Sequence, residues 1–359
     1  MKVLYIFGSP RLKQLNRYLA GTGPATSFWG MLHLKTVEAI PFYAEEYIRW
    51  YKLFLKWTAL FVNDFFLYWP AILHIAKCDI VFSTNNIWFV TLTGLLGKKT
   101  VWLNFNLLRA IENARGLKKR ILLWMVGRLD AIVCLTMVEQ QAFRSLGLTR
   151  TYYVGLGVDA EFIHPSKSTC GDYVLAIGYD YGRDYRPFFS AMAGLDIPAE
   201  VFCSPANVAG LAWSHNVQVK YSQGNEPWGH YYFHARFVVV PLRGNYGSDC
   251  PGLTCILEAM AAGKAVIATD LPTTRNYVSD GWNGLLVPEG DAVALRSAIS
   301  SLWKDPVLAS RMGSRGRDGI EAGGGLPEFA RRLESVFKQV CSPLPEPSSN
   351  RLRQQAKSC

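Results

Sequence analysis

The chain holds eight cysteines but no Cys-x-x-Cys pair and no regular cysteine spacing. That leaves no zinc-type site and no disulfide framework to expect. Cys78, Cys134 and Cys203 lie in or beside apolar runs, where a thiol acts as a small hydrophobe. A reducing, cytoplasmic setting is the expectation. A membrane-spanning apolar run is also lacking. The one candidate, residues 57–76, is interrupted by Asn63, Asp64 and Pro70, which lipid does not tolerate cheaply. The apolar start, KVLYIFGS, stops too soon for a signal peptide and reads as a first strand. No recognition helix and no RNP-like motif is present, so nucleic acid is not expected as a partner. Acidic residues are scarce in the first half: residues 1–165 carry 19 Lys and Arg against 10 Asp and Glu, the remainder 19 against 18. The first half is therefore suited to an anionic partner or surface.

What is present is alternation. The length of 359 residues suits two domains, and half the residues are hydrophobic, enough for a sizeable core. In the first half KVLYIFGS, VEAIPF, CDIVFST, KTVWLNF, DAIVCLT and TYYVGLG read as strands with helical patterns between them. The second half repeats this with DYVLAIGYD, AEVFCSP, VQVKYSQ, RFVVVPL, AVIATD and GLLVPEG. Such alternation predicts an α/β chain with parallel sheets and helices on both faces. Ligands then belong at the carboxyl ends of the strands.

The most informative stretch is 249–270, DCPGLTCILEAMAAGKAVIATD. Leu253, Ile256, Leu257, Met260 and Ala261 repeat with a helical period. Asp249 is placed to cap this helix, Pro251 to sit in its first turn, and Gly263 to end it. Glu258 is its lone charge and shares one flank with Thr254. A carboxylate held against a core needs a partner, and a sugar diol is one. The N–H groups of Gly252, Leu253 and Thr254 lie at the helix N-terminus, where a phosphate is favoured. The plain alternative is an exposed glutamate that merely favours the helix dipole.

Residues 241–295 resemble the donor-binding signature of GT-B glycosyltransferases of the GT4-like group. The resemblance rests on LEAMAAGKAVIATD, then Asn276-Tyr277-Val278, then Asp280-Gly281-Trp282-Asn283-Gly284-Leu285-Leu286-Val287. DAIVCLTMVEQQAFRSLGLTRTYYVGLGVDAEFIHP is similar to the family's end of the first domain, with Gly157-Val158-Asp159 and Pro165 at the crossing. The resemblance implies two facing Rossmann-like domains. Their bounds are an acceptor-binding domain at 1–165, a nucleotide-sugar-binding domain at 166–325, a helix at 326–340 that packs back on the first domain, and a disordered tail at 341–359.

It also implies transfer of a sugar from a nucleotide diphosphate sugar, such as a UDP sugar, with retention and with neither metal nor cofactor. No Asp-x-Asp motif is present, which agrees. The second glutamate of the family's Glu-x7-Glu motif falls on Glu258; the first falls on Cys250, a departure. The neighbouring Asp249 is the carboxylate in GNYGSDCPG that takes over a donor-sugar contact, or else it only caps the helix; flanking Gly247 and Gly252 allow a one-residue shift. Arg183, in GYDYGRDYRP, is the candidate for neutralising the diphosphate, against the alternative of a surface ion pair with Asp180 or Asp184. Arg243 is a second cation at a strand end. Ser204 and Tyr221 stand at matching strand ends as base contacts, and Asn104 is an acceptor-side candidate.

Gly21 and Gly23 belong to GTGPAT, which fails as a dinucleotide loop because Thr26 replaces the third glycine and Pro24 intrudes. The resemblance gives it a place near the donor phosphates instead. Within 42–69, Trp50, Phe54, Trp57 and Phe61 form an aromatic stripe and Arg49, Lys52 and Lys56 a basic one. That pattern fits either a helix on a membrane surface, making the protein membrane-peripheral, or an amphipathic helix packed on the sheet. The acceptor is a glycan, a lipid-linked molecule or a small molecule. Two other functions compete: a GT-B nucleotide-sugar epimerase, and a non-catalytic nucleotide-binding protein, the latter favoured by Cys250.

Overall fold

The computed structural model describes residues 1–9, 11–43, 45, 69–165, 171–221, 230–244 and 249–342. The stripes around Arg49, Lys52, Lys56, Trp50, Phe54, Trp57 and Phe61 lie outside these residues. So do most of the 57–76 stretch, residues 166–170, Gly247 and residues 343–359.

All twelve apolar runs are strands, and they form two parallel sheets. The first sheet contains β1 (Lys2–Ile6), β2 (Glu38–Phe42), β3 (Ile80–Ser83), β4 (Lys99–Leu103), β5 (Ala131–Cys134) and β6 (Thr151–Tyr153). Their spatial order is β2-β1-β3-β4-β5-β6. The second contains β7 (Tyr173–Ile177), β8 (Ala199–Cys203), β9 (Val217–Tyr221), β10 (Ala235–Val240), β11 (Val266–Thr269) and β12 (Gly284–Val287), ordered β12-β11-β10-β7-β8-β9. The central strands are buried along their whole length, such as β3, β5 and β11. Both faces of a parallel sheet are covered, so its strands read as continuous apolar runs.

Helices connect the strands. The first domain has α1 (Leu12–Leu19), α2 (Ile72–Ile75), α3 (Ile87–Leu95), α4 (Leu107–Asn113), α5 (Gly116–Val126) and α6 (Met137–Ser145). The second has α7 (Tyr185–Met192), α8 (Pro205–Val208), α9 (His230–His234), α10 (Leu253–Ala261), α11 (Ala292–Lys304) and α12 (Pro306–Gly319). A last helix, α13 (Leu326–Cys341), returns to the first sheet. The two sheets with their helices make the GT-B architecture, and no described helix is long and apolar enough to cross a membrane.

The return of α13 is fixed by packing. It buries Phe329, Leu333 and Phe337, each contributing roughly 1.5–3 kcal/mol of burial. Phe337 meets Tyr5 and Phe82 edge-on, at 6.4 and 5.6 Å. The Glu334 carboxylate accepts from Lys35 N and Thr36 N at 2.6 and 2.7 Å. A Cβ on Gly157 would stand 2.5 Å from the Phe329 Cβ, so a glycine is needed where the crossing meets this helix.

The Gly21–Gly23 loop is tied to that crossing. Asp159 Oδ2 accepts from Ala25 N at 2.7 Å, and Thr26 Oγ1 accepts from Asp159 N at 3.1 Å. The aspartate of the Gly-Val-Asp motif thus holds the glycine loop against the domain junction.

Candidate functional site

A cavity of about 300 Å³ opens at the carboxyl ends of the second sheet's central strands. Ile177 ends β7 and Gly178, Tyr179 and Asp180 follow it, while Phe202 belongs to β8. Cys250 to Cys255 and Glu258 line the wall made by α10 and the turn before it; Phe105 and Leu156 reach in from the first domain. The helix that forms this wall starts later than the sequence suggests. Its N-cap is Gly252, at φ 74°, and its first residue is Leu253. A Cβ on Gly252 would approach Val240 and Leu242 to within 3 Å. Pro251 therefore lies in the preceding turn. Gly252 has no side chain to cap with, so the first N–H groups of α10 have no partner within the helix.

Glu258 is almost fully buried, at 1% exposure, and lines the cavity with Thr254. Tyr232 Oη donates to its Oε2 at 2.8 Å. Burial pushes the Tyr232 phenol well above its ordinary range, with the Glu258 charge adding, so it remains a donor. The plain alternative of an exposed glutamate is ruled out by its burial.

Arg183 is buried at 4% exposure. Its Nε donates to Asp180 Oδ2 at 2.8 Å and its Nη2 to Cys255 Sγ at 3.2 Å. Its Nη1 is buried with no hydrogen-bond partner. Burial works against the charge, while Cys255 and Asp180 support it, and the net shift of its pKa is upward. Gly178, at φ 138°, lies under this side chain: a Cβ there would fall 2.1 Å from Nε. The ion pair with Asp180 exists, with the Arg183 side chain buried against the cavity and the Asp180 side chain 44% exposed at its rim.

Several sequence candidates are placed elsewhere. Arg243 pairs with Asp184, Nε to Oδ2 at 3.1 Å, and does not line the cavity. Ser204 caps α8, donating to Asn207 Oδ1 at 2.7 Å. Tyr221 ends the edge strand β9 and is exposed. Neither they nor Gly21 and Gly23 are among the described lining residues. The aromatic wall instead comes from Tyr179, Phe202 and Tyr231; the last two stack at 4.2 Å.

Asp249 does not cap α10, which has no side-chain cap. Its carboxylate crosses to the first domain and caps α4. Oδ1 accepts from Arg109 N at 2.9 Å and Oδ2 from Leu108 N at 3.0 Å. Asn104 Nδ2 also donates to Oδ2 at 3.0 Å, and Asp249 N donates to Phe105 O at 2.9 Å. Asn104 is itself fully buried. Its other amide contact goes to Glu139 Oε1 at 2.5 Å, and its Oδ1 accepts from Leu107 N at 3.0 Å. Neither Asn104 nor Asp249 lines the cavity; both have their polar atoms engaged in joining the domains. Cys250, next in sequence, does line it.

Glu139 completes this bridge and was not singled out from sequence. Its Oε2 accepts from Leu135 N, Thr136 N and Thr136 Oγ1, a capping box for α6. Thr-x-x-Glu at 136–139 was the available signal. Burial raises its pKa to about 7, with Asp249 adding and bonds from Thr136 and Asn104 opposing. Burial likewise raises that of Asp249. Folded protein thus binds the Glu139 proton more tightly than unfolded chain. Between the ordinary value of 4.5 and about 7 the folded state carries more protons, so stability falls as pH rises and levels off above. The fall is of order 3 kcal/mol. Melting temperatures across this range should show it, and Glu139→Gln should flatten the slope.

With this geometry in view, residues 204–305 match the model of the family described as Glycosyl transferases group 1. Within the second domain, this segment is thus similar to group 1 glycosyl transferases. Over 76 residues the chain is 40% identical to a phosphatidyl-myo-inositol mannosyltransferase of Mycobacterium leprae, covering 21% of this chain and 20% of that protein. Over 114 residues it is 34% identical to a D-inositol 3-phosphate glycosyltransferase of Frankia alni, covering 32% and 26%. The matched segments thus span about a fifth to a quarter of those relatives. Among solved structures, HepE of Anabaena in complex with UDP-glucose superposes with a TM-score of 0.67 at 14% identity, covering 94% of this chain and all of that one. Sucrose-phosphate synthase from Thermosynechococcus elongatus gives 0.61 at 19% identity, covering 75% and 76%. These superpositions bear on the fold. The matched segment contains Arg243, Cys250, Glu258 and α10, while Arg183 and Gly178 precede it.

Proposed function

We propose that the protein transfers a glycosyl group from a nucleoside diphosphate sugar, held in the second domain's cavity, to an acceptor approached from the first domain. One observation carries this reading: the buried Arg183 Nη1 has no partner and belongs to the same cavity as the uncapped N-terminus of α10 and Glu258. A diphosphate supplies the acceptor oxygens that this arrangement lacks. Glu258, backed by Tyr232, accepts hydroxyls of the ribose. Tyr179, Phe202 and Tyr231 offer ring faces to the base.

As the sugar leaves, charge develops on the departing phosphate oxygen. Arg183 and the first N–H groups of α10 are already fixed there, so the transition state gains without reorganisation. Protein-derived positive charge of this kind supports transfer without a metal. The family resemblance supports retention of configuration, and the HepE complexes, whose ligands include UDP and UDP-glucose, support UDP as the carrier. The cytoplasm is the compartment where such donors meet a protein with free thiols. The test is incubation with a panel of nucleotide sugars, with and without candidate acceptors and with chelator present. Acceptor-dependent release of nucleoside diphosphate supports the reading. Interconversion of the sugar without acceptor identifies an epimerase; binding without turnover identifies a non-catalytic nucleotide-binding protein.

A further inference from the structure

The first domain carries large exposed apolar side chains on two neighbouring helices. On α3, Trp88 and Leu95 are 57% and 56% exposed, followed by Leu96 at 59%. On α5, Leu117 and Trp124 are 71% and 49% exposed. Trp88 and Leu95 are seven residues apart, as are Leu117 and Trp124. Seven residues make two turns, so each pair lies on one helix face. The inward faces meet in a shared core that includes Val90 from α3 and Leu122, Met125 and Val126 from α5, and the two helices pack against each other. Their outward faces therefore adjoin.

The charges carried by α3, α5 and the residues flanking them within 86–98 and 113–129 have one sign. Residues 86–98 and 113–129 contain no Asp or Glu, but hold Lys98, Arg115, Lys118, Lys119, Arg120 and Arg128. Arg115, Lys118, Arg120 and Arg128 are exposed. The Arg128 guanidinium lies 4.4 Å from the Trp124 ring centroid. Lysines between the exposed apolar anchors are unlike a protein–protein interface core, where lysine is depleted. Tryptophan and leucine ringed by Lys and Arg suit the boundary of an anionic bilayer: the apolar side chains enter the headgroup layer and the cations stay level with the phosphates.

We propose that α3 and α5 dock the protein on an anionic membrane surface through Trp88, Leu95, Leu117 and Trp124, with Lys118, Lys119 and Arg120 meeting lipid phosphates. It involves none of the residues of the basic and aromatic stretch at 42–69, and it does not depend on the transfer reaction. Docking would set the first domain against lipid-borne molecules.

Co-sedimentation with vesicles tests it, using phosphatidylcholine alone and phosphatidylcholine mixed with phosphatidylglycerol. The wild-type protein is expected to sediment with the mixed vesicles only, and less as salt rises, because exposed charges are screened. Reversing three cations (Lys118→Glu, Lys119→Glu, Arg120→Glu) should weaken binding ~100-fold or more, since each basic residue acts nearly independently at an anionic surface. The double variant Trp88→Ser, Trp124→Ser should weaken it ~10-fold while keeping the preference for anionic lipid. Both should melt near the wild-type temperature, because the altered side chains are mostly exposed. Absence of sedimentation at low salt would overturn the proposal. So would a charge-reversed protein that binds like wild type, or equal binding to phosphatidylcholine alone. A dimer in solution that only the tryptophan variant dissociates, with no vesicle binding, would make this face a self-association surface.

Discussion

Arg183→Leu is expected to lower kcat/KM for the donor by 10²–10³-fold, about the 2.7–4 kcal/mol lost with one preorganised donor to a developing anion. The side chain is 4% exposed, and its Nη1 has no protein partner. Little folding stability should be lost, because Asp180, its ion-pair partner, has a side chain that is 44% exposed and can return to water. Arg183→Lys should not rescue activity: an ammonium cannot keep Asp180, Cys255 and the donor at three separate nitrogens. Gly178→Ala should reproduce the loss with the arginine still present, since its Cβ would stand 2.1 Å from the Arg183 Nε and displace that side chain. Steady-state kinetics of the three variants, beside their melting temperatures, check this. Wild-type turnover in Gly178→Ala would remove Arg183 from the site.

Asp249→Ala is expected to act on stability first. The carboxylate accepts from Asn104, Leu108 and Arg109 across the domain junction, and the Arg109 Nε lies 4.0 Å away. Truncation strands the first N–H groups of α4 and one amide hydrogen of a fully buried asparagine. Breaking a buried charged network costs about 3–5 kcal/mol, a large part of the 5–15 kcal/mol typical of a domain. Asp249→Asn keeps one acceptor oxygen but sets an amide N–H₂ against Asn104 or the α4 N–H groups, so most of the loss should remain. Asn104→Ala should lose less, since Leu108 and Arg109 still satisfy Asp249. Thermal melts and urea titrations measure all three, and a double-mutant cycle isolates the Asn104–Asp249 coupling.

The strands were legible because both faces of each sheet are covered, so burial appears as apolar β-branched runs. Glu258 was legible for a related reason: it is the one charge on a helix otherwise committed to the core. Asp249 was legible as a carboxylate in the right loop but not in its role. Its partners are about 140 residues away, and no local pattern announces them. The same holds for Asn104, whose burial depends on Glu139 from one neighbouring element and Asp249 from the other domain. Ser204 and Tyr221 stand at strand ends but lie elsewhere: Ser204, beyond β8, turns to Asn207, and Tyr221 is in register with Cys203 and not with Phe202. Phe202 packs with the core on the cavity side of the second sheet, whereas Cys203 packs with the core on the other. Whether a strand's last inward residue is the aromatic one or its neighbour depends on register, which the sequence does not show. The helix start shifted from Pro251 to Leu253 because Gly252 takes a left-handed turn under Leu242 and Val240, a tertiary contact.

The central claim is that the cavity beside α10 holds a nucleoside diphosphate, with Glu258 on its ribose. Titration calorimetry with UDP on wild type and Glu258→Ala tests it most directly. Wild type should bind, and Glu258→Ala should bind ~1.5–3 kcal/mol more weakly, the range for hydrogen bonds to a charged group. Equal affinity in the two proteins, with the variant folded, would contradict the assignment.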